Sequence, residues 1–215
     1  EHYPTGRTPT VLDIGCGFGG LTVALSQLLP NETVLGMEIR AKVTEYVRLR
    51  IVALRKEHPG KYDNTSVLRT NSMRYLPNYF PKASCNKLFF CFPDPHFKRK
   101  NHGRRIISER LLTEYAYILQ PGGRLYCITD VHELHKWHVQ KCDNHPMFKR
   151  LEDALQKEDP CVEAMNTTTE ESQKVDRAGS SKYYAVYERI PDNQAELVTA
   201  ENFFKQRPAE DKENK

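Results

Sequence analysis

A glycine-rich turn between two apolar runs constrains this chain more than any other feature. Residues 10–14 form a short apolar run, residues 21–29 have helical character, and residues 33–39 form a second apolar run. That order reads strand, loop, helix, strand. Within Asp13-Ile14-Gly15-Cys16-Gly17-Phe18-Gly19-Gly20, the glycines Gly15, Gly17 and Gly20 satisfy G-x-G-x-x-G. Glycine there permits a tight turn and lets a ligand approach the backbone closely. A loop that merely turns the chain obeys the same pattern, but the strand and helix around it favour a ligand site.

The alternation continues. Residues 41–56 carry Val43, Val47, Ile51 and Leu54 at helical spacing, and residues 66–69 suit a third strand. Residues 87–92 form a continuous apolar run of the kind found in a strand covered on both faces. Residues 106–119 read as a helix stopped by Pro121-Gly122-Gly123, 124–129 as a strand, 131–142 as a helix and 183–189 as a late strand, whereas 143–182 show no regular pattern. The pattern predicts an α/β fold, a mostly parallel sheet with helices on both faces, whose ligands bind outside the carboxyl ends of the strands.

With 39% hydrophobic and 28% charged residues, and no apolar run near the ~20 residues a membrane span needs, the chain does not read as a membrane protein. The start Glu1-His2-Tyr3-Pro4 reads as an internal position of a longer protein. The expected division is a remnant at 1–9, one domain at 10–190 and a polar, flexible tail at 191–215. The six cysteines form no C-x-x-C pair, which points to a reducing compartment and no zinc. His132, His135 and His138 recur every third residue, and without a completing ligand pattern they read as the polar face of a helix rather than a metal site.

The acids narrow the ligand. A carboxylate at Asp13 would repel a pyrophosphate, whereas S-adenosylmethionine has no phosphate and carries a sulfonium and an ammonium. Glu38 ends the second strand, where a carboxylate accepts both hydroxyl hydrogens of an adenosine ribose. Arg40 has three available partners: Glu38, a 2′-phosphate or solvent. Asn71 and Ser72 follow the third strand and fit either an adenine edge or the cap of a short helix.

The fourth strand runs into Phe92-Pro93-Asp94-Pro95-His96-Phe97, which places an aspartate between two prolines. Both rings restrict the backbone, so the Asp94 carboxylate is held at the strand tip. Pro-Asp-Pro is also an ordinary turn, but its place after a buried strand favours chemistry. The stretch Asp94-Pro95-His96-Phe97 resembles the Asp-Pro-Pro-aromatic motif of methyltransferases acting on exocyclic amino groups, and Phe97 is suited to stack on a base. Lys98-Arg99-Lys100-Asn101-His102-Gly103-Arg104-Arg105 then packs five full positive charges into eight positions, which suits RNA phosphates or a nuclear localisation signal. Asp130 closes the next strand near Asp94. Thr167-Thr168-Thr169-Glu170-Glu171 reads locally as a capping box before a helix containing Val175.

Taken together, the glycine loop with Glu38-Ile39-Arg40, Phe92-Pro93-Asp94-Pro95-His96-Phe97-Lys98, Arg105-Ile106-Ile107, Ile128-Thr129-Asp130 and Thr169-Glu170-Glu171 resemble the eukaryotic tRNA (guanine-N7-)-methyltransferase family from about Val11 to about Ile190. The resemblance implies a Rossmann-like class I S-adenosylmethionine-dependent methyltransferase fold. It implies cofactor contacts at Gly15, Gly17, Glu38, Arg40, Asn71, Ser72, Cys91, Thr169 and Glu171, with backbone contacts at Ser72 and Cys91. It further implies a catalytic Asp94, substrate contacts at Lys98 and Asp130, a guanosine target in the tRNA variable loop, a WD-repeat β-propeller subunit and a nuclear location, with the cytoplasm not excluded. The alternatives are an amino-group RNA methyltransferase of the adenine N6 type and an RNA-binding scaffold that no longer catalyses.

Overall fold

The computed structural model describes residues 7–192. Residues 1–6 and 193–215, which include most of the expected N-terminal remnant and polar tail, lie outside the described residues. The elements follow in the order β1 (Val11–Ile14), α1 (Gly20–Leu28), β2 (Val34–Glu38), α2 (Ala41–Glu57), β3 (Thr65–Arg69), α3 (Ser72–Tyr79), β4 (Cys85–Cys91), α4 (Glu109–Ile118), β5 (Leu119–Thr129) and α5 (His132–Asp143). Then come β6 (Phe148–Arg150), α6 (Asp153–Glu158), α7 (Pro160–Thr167), α8 (Glu170–Arg177) and β7 (Tyr183–Arg189). A 3-10 turn spans Arg99–Arg104.

The strands form one sheet in the order β3-β2-β1-β4-β5-β7-β6. The first five are parallel, while β7 runs antiparallel to β5 and β6 antiparallel to β7. Two apolar layers cover it. Leu12, Leu88, Phe90 and Leu125 face Leu76, Leu112 and Tyr115 of α3 and α4, while Val11, Phe89, Tyr126 and Val186 face Leu21, Leu25, Cys161 and Met165 of α1 and α7. Burial on both faces explains why β4 is apolar throughout its centre. No helix among the described residues is long and apolar enough to cross a membrane.

Three readings need correction. The expected helix at 106–119 begins only at Glu109, and Pro121-Gly122-Gly123 lies inside the long strand β5 instead of stopping a helix. Residues 143–182 are not irregular: they hold β6 and three short helices, each too short to display a helical period. His138 does not belong to a polar face, since it is buried while His132 is exposed and His135 half-buried. Burial also pushes its imidazole down to about 3, so it is neutral.

Candidate active site at the switch point of the sheet

Strands β1 and β4 lie side by side, but the chain leaves β1 toward β2 and β4 toward β5. At such a switch point the connections diverge and leave a crevice beyond the carboxyl ends. A cavity of about 590 Å³ opens there, walled by the glycine loop, the ends of β2 and β4 and the start of α8. Gly15 and Gly17 take φ of 77° and 54°, and a Cβ on either would project into open space. The backbone of this loop is therefore a bare wall.

Five carboxylates, Asp13, Glu38, Asp94, Glu170 and Glu171, stand among a largely apolar lining. Asp13 is 2% exposed and accepts from the Thr22 hydroxyl at 2.6 Å. Burial pushes its pKa up to about 6 against the Thr22 bond, with Glu170 and Glu38 adding repulsion. Glu38 ends β2 and receives Arg40 in a two-pronged pair, Nε to Oε1 and Nη2 to Oε2 both at 3.0 Å. Arg40 thus engages Glu38, one of the three partners open to it, while its side chain stays largely exposed. Burial tends to raise the Glu38 pKa, and the bonds and charge of Arg40 outweigh it, leaving the group below the usual range. One Oε1 takes two donors and Oε2 a single one, so acceptor capacity remains for a ligand hydroxyl.

Thr169 caps α8 by accepting from Ser172 N at 2.9 Å, a simple cap and not the expected capping box because Ser172 stands where the box needs Glu or Gln, while Thr169, Glu170 and Glu171 also line the cavity. Glu170, which sequence reasoning passed over, pairs with Arg50 at 3.0 Å, and Arg50 also donates to the Phe18 carbonyl. Gly20 is needed at this point because a Cβ there would overlap the Thr168 carbonyl. The start of α8 thus packs directly on the glycine loop.

Opposite stands the strand-tip loop. Phe92 and His96 take φ of 50° and 45°, a left-handed conformation that costs a non-glycine residue free energy and persists only where its surroundings impose it. Several contacts impose it. Phe92 N donates to Ile128 O at 2.8 Å, His96 N donates to Asp94 Oδ1 at 2.9 Å, and Arg105 Nε donates to Pro95 O at 2.9 Å. Arg105 is buried, bonds to Glu133 at 3.3 Å and lies 4.7 Å over the Trp137 ring. Arg105 therefore clamps the loop and is not a free phosphate contact, and it pairs with Glu133 rather than with Asp94. The Asp94 side chain is 71% exposed at the cavity mouth, not a buried ion-pair partner.

Of the residues singled out in the sequence, Gly15, Gly17, Glu38, Arg40, Cys91, Asp94, Thr169 and Glu171 line this cavity. Asn71 and Ser72 do not: the Asn71 side chain accepts from Met73 N at 3.1 Å and caps α3, so the cap reading describes it, and Met73 reaches the cavity instead. Lys98 and Asp130 are exposed outside the cavity wall. Arg104, Ile106 and His96, which the sequence did not assign to the crevice, also line it, because only the folded loop turns them inward. Among the described residues no group of three or more His, Cys, Asp or Glu is placed to hold a metal ion.

Comparison with known proteins agrees with this geometry. Residues 7–185 match a family model described as a putative methyltransferase. The chain is 56% identical over 178 residues to a tRNA (guanine-N(7)-)-methyltransferase of Oryza sativa subsp. indica, covering 83% of this chain and 69% of the relative. It is 48% identical over 214 residues to the enzyme of that name from Dictyostelium discoideum, covering 98% and 77%. In fold it is similar to the 16S rRNA methyltransferase KamB, with a TM-score of 0.58 at 14% identity over 87% of this chain and 90% of that one. A seven-stranded sheet wound in this order is the Rossmann-like class I methyltransferase fold, and with identity of this extent across nearly all of its length the chain belongs to the tRNA (guanine-N(7)-)-methyltransferase family.

Proposed function

We propose that this chain transfers a methyl group from S-adenosylmethionine to N7 of a guanosine in the variable loop of tRNA. The observation that carries the reading is the placement of the exposed Asp94 carboxylate at the mouth of a cavity whose far wall is a bare glycine loop flanked by Asp13 and Glu38. That donor set fits the cofactor: Asp13, Glu170 and Glu171 present negative charge to a cationic ligand, and Glu38 retains acceptor capacity for ribose hydroxyls. When bound, S-adenosylmethionine supplies an electrophilic methyl group on its sulfonium.

Guanine N7 carries an in-plane lone pair and no hydrogen. Its attack forms the N–C bond as the S–C bond breaks and needs no base, so positioning supplies most of the acceleration. Positive charge grows on the purine as the bond forms. Asp94 is placed to accept from the guanine N1 or N2 hydrogens and to oppose that charge, and the base itself excludes water from the carboxylate. These donors also distinguish guanine from adenine. Lys98, Arg99, Lys100 and Arg104 are exposed beside Asp94 and suit tRNA phosphates, and Asp130 lies at the end of the adjacent strand.

The WD-repeat β-propeller partner and the nuclear location rest on the family resemblance, with the basic segment as a further support for the latter. Co-purification of the full-length protein, and the distribution of a fluorescent fusion with Lys98, Arg99 and Lys100 neutralised, test them. For the reaction, mass spectrometry of nucleosides from tRNA incubated with labelled cofactor should find the label in 7-methylguanosine. Label in N6-methyladenosine would establish the amino-group alternative, and no label the scaffold alternative.

A further inference from the structure

The histidines at the start of α5 are unused by the reaction, yet two of them share a ring stack with β7. The His132 and Tyr183 ring centroids are 4.9 Å apart at 36°, and those of His135 and Tyr183 are 5.7 Å apart at 29°. His132 is exposed, and neither imidazole side chain makes a hydrogen bond or ion pair with another described residue. Tyr183 thus contacts both imidazoles, stacked with His135 and tilted against His132, whose ring is open to solvent.

We propose that His132, Tyr183 and His135 form a stacking shelf for the nucleobase next to the target guanosine, an inference that rests on the RNA reading above. Tyr183 stands opposite Thr129 at the carboxyl end of β5, on the same edge of the sheet as Asp94. From the tip of β4 to β7 are two strand spacings, roughly 10 Å, a distance that one nucleotide of splayed backbone spans. The shelf and the reaction loop also share a support. The first turn of α5 holds the Asp94 loop through Glu133 and Arg105, and carries His132 and His135 on its other side. A guanosine drawn into the crevice leaves its stack, and unstacked neighbours in RNA are held on aromatic faces.

Lys136 on α5 and Lys149 and Arg150 on β6 are exposed, and Arg150, which pairs with Asp153 at 4.0 Å, lies close enough to His135 to act on its charge, so cations as well as the Glu133 carboxylate surround the shelf. Burial, Arg150 and His132 together lower the His135 pKa, which favours a neutral ring against Tyr183. Such platforms tolerate any base, because every base has a π face.

The test compares tRNA affinity at fixed salt for the wild type, His132→Ala and His132→Phe, using intact tRNA and tRNA made abasic on the 5′ or the 3′ side of the target guanosine. His132→Ala should weaken binding to intact tRNA by roughly fivefold or more. His132→Phe should restore it, and the difference between wild type and His132→Ala should vanish on one of the two abasic tRNAs. Equal affinity of His132→Ala and wild type for intact tRNA would overturn the proposal. So would a penalty that persists on both abasic tRNAs, or one that phenylalanine leaves in place. The affinities are read without turnover, so failure of the wild type to form 7-methylguanosine would count against the reaction and not against the shelf.

Discussion

At the scale of single residues, the two aspartates of the crevice do opposite things. Asp94 is exposed and ready to act on a base, so Asp94→Asn should lower methyl transfer by about 10² or more while cofactor affinity stays within a few-fold, because Glu38 and the glycine loop are untouched. Single-turnover rates alongside calorimetry check that separation. Asp13 is buried, and its carboxyl rises from an ordinary 3.8 to about 6. Between those values the folded chain holds a proton that the unfolded chain has released, so this group favours the fold most at low pH and that contribution is lost as pH rises through about 6. A cation entering the cavity favours the ionised form. Cofactor affinity should therefore climb with pH up to about 6 and level off above it, and Asp13→Asn should flatten the profile in calorimetric titrations at several pH values.

At the scale of elements, what matters is how tightly the start of α8 sits on the glycine loop. Gly20→Ala would drive a methyl into the Thr168 carbonyl, a backbone atom that cannot swing aside. The expected loss is about 1–3 kcal/mol of stability together with a weaker cofactor complex, read by thermal unfolding with and without ligand. The contact also shows what was legible in the sequence. Strands β1 to β5 and helices α1, α2 and α5 declared themselves because each is long enough to display a period or lies in an unbroken apolar run. Helices α6 to α8 have 6, 8 and 8 residues and are set by packing and caps, so no period betrays them. Among site residues, Glu38 and Asp94 were legible as acids at strand ends. Arg105 was not, since a sequence shows five cations within eight positions and only burial against Trp137 distinguishes the one that clamps.

At the scale of the whole molecule, charge is divided. The net value is only +4, but five carboxylates line the cavity, while Lys98, Arg99 and Lys100 are exposed in the segment that follows the Asp94 loop. A cationic cofactor and a polyanionic substrate are thus drawn to adjoining surfaces of opposite sign. Replacing Lys98, Arg99 and Lys100 with glutamine, with Arg104 and Arg105 kept, should weaken tRNA binding. The salt dependence should flatten by about 0.7–0.9 for each phosphate that is no longer neutralised, with cofactor affinity unchanged. Filter-binding titrations at several salt concentrations measure it, and an unchanged slope would leave targeting as the role of the segment.

The pairing of Arg50 with Glu170 spans 120 positions of the chain. The glycine loop, among the first parts of the domain to leave a ribosome, acquires its cover only when α8 has emerged. A nascent or truncated chain ending before Thr168 would hold most of the parallel sheet but lack one wall of the pocket. Such a chain would carry the glycine loop and the basic segment but not the Thr169, Glu170 and Glu171 side of the cofactor cavity.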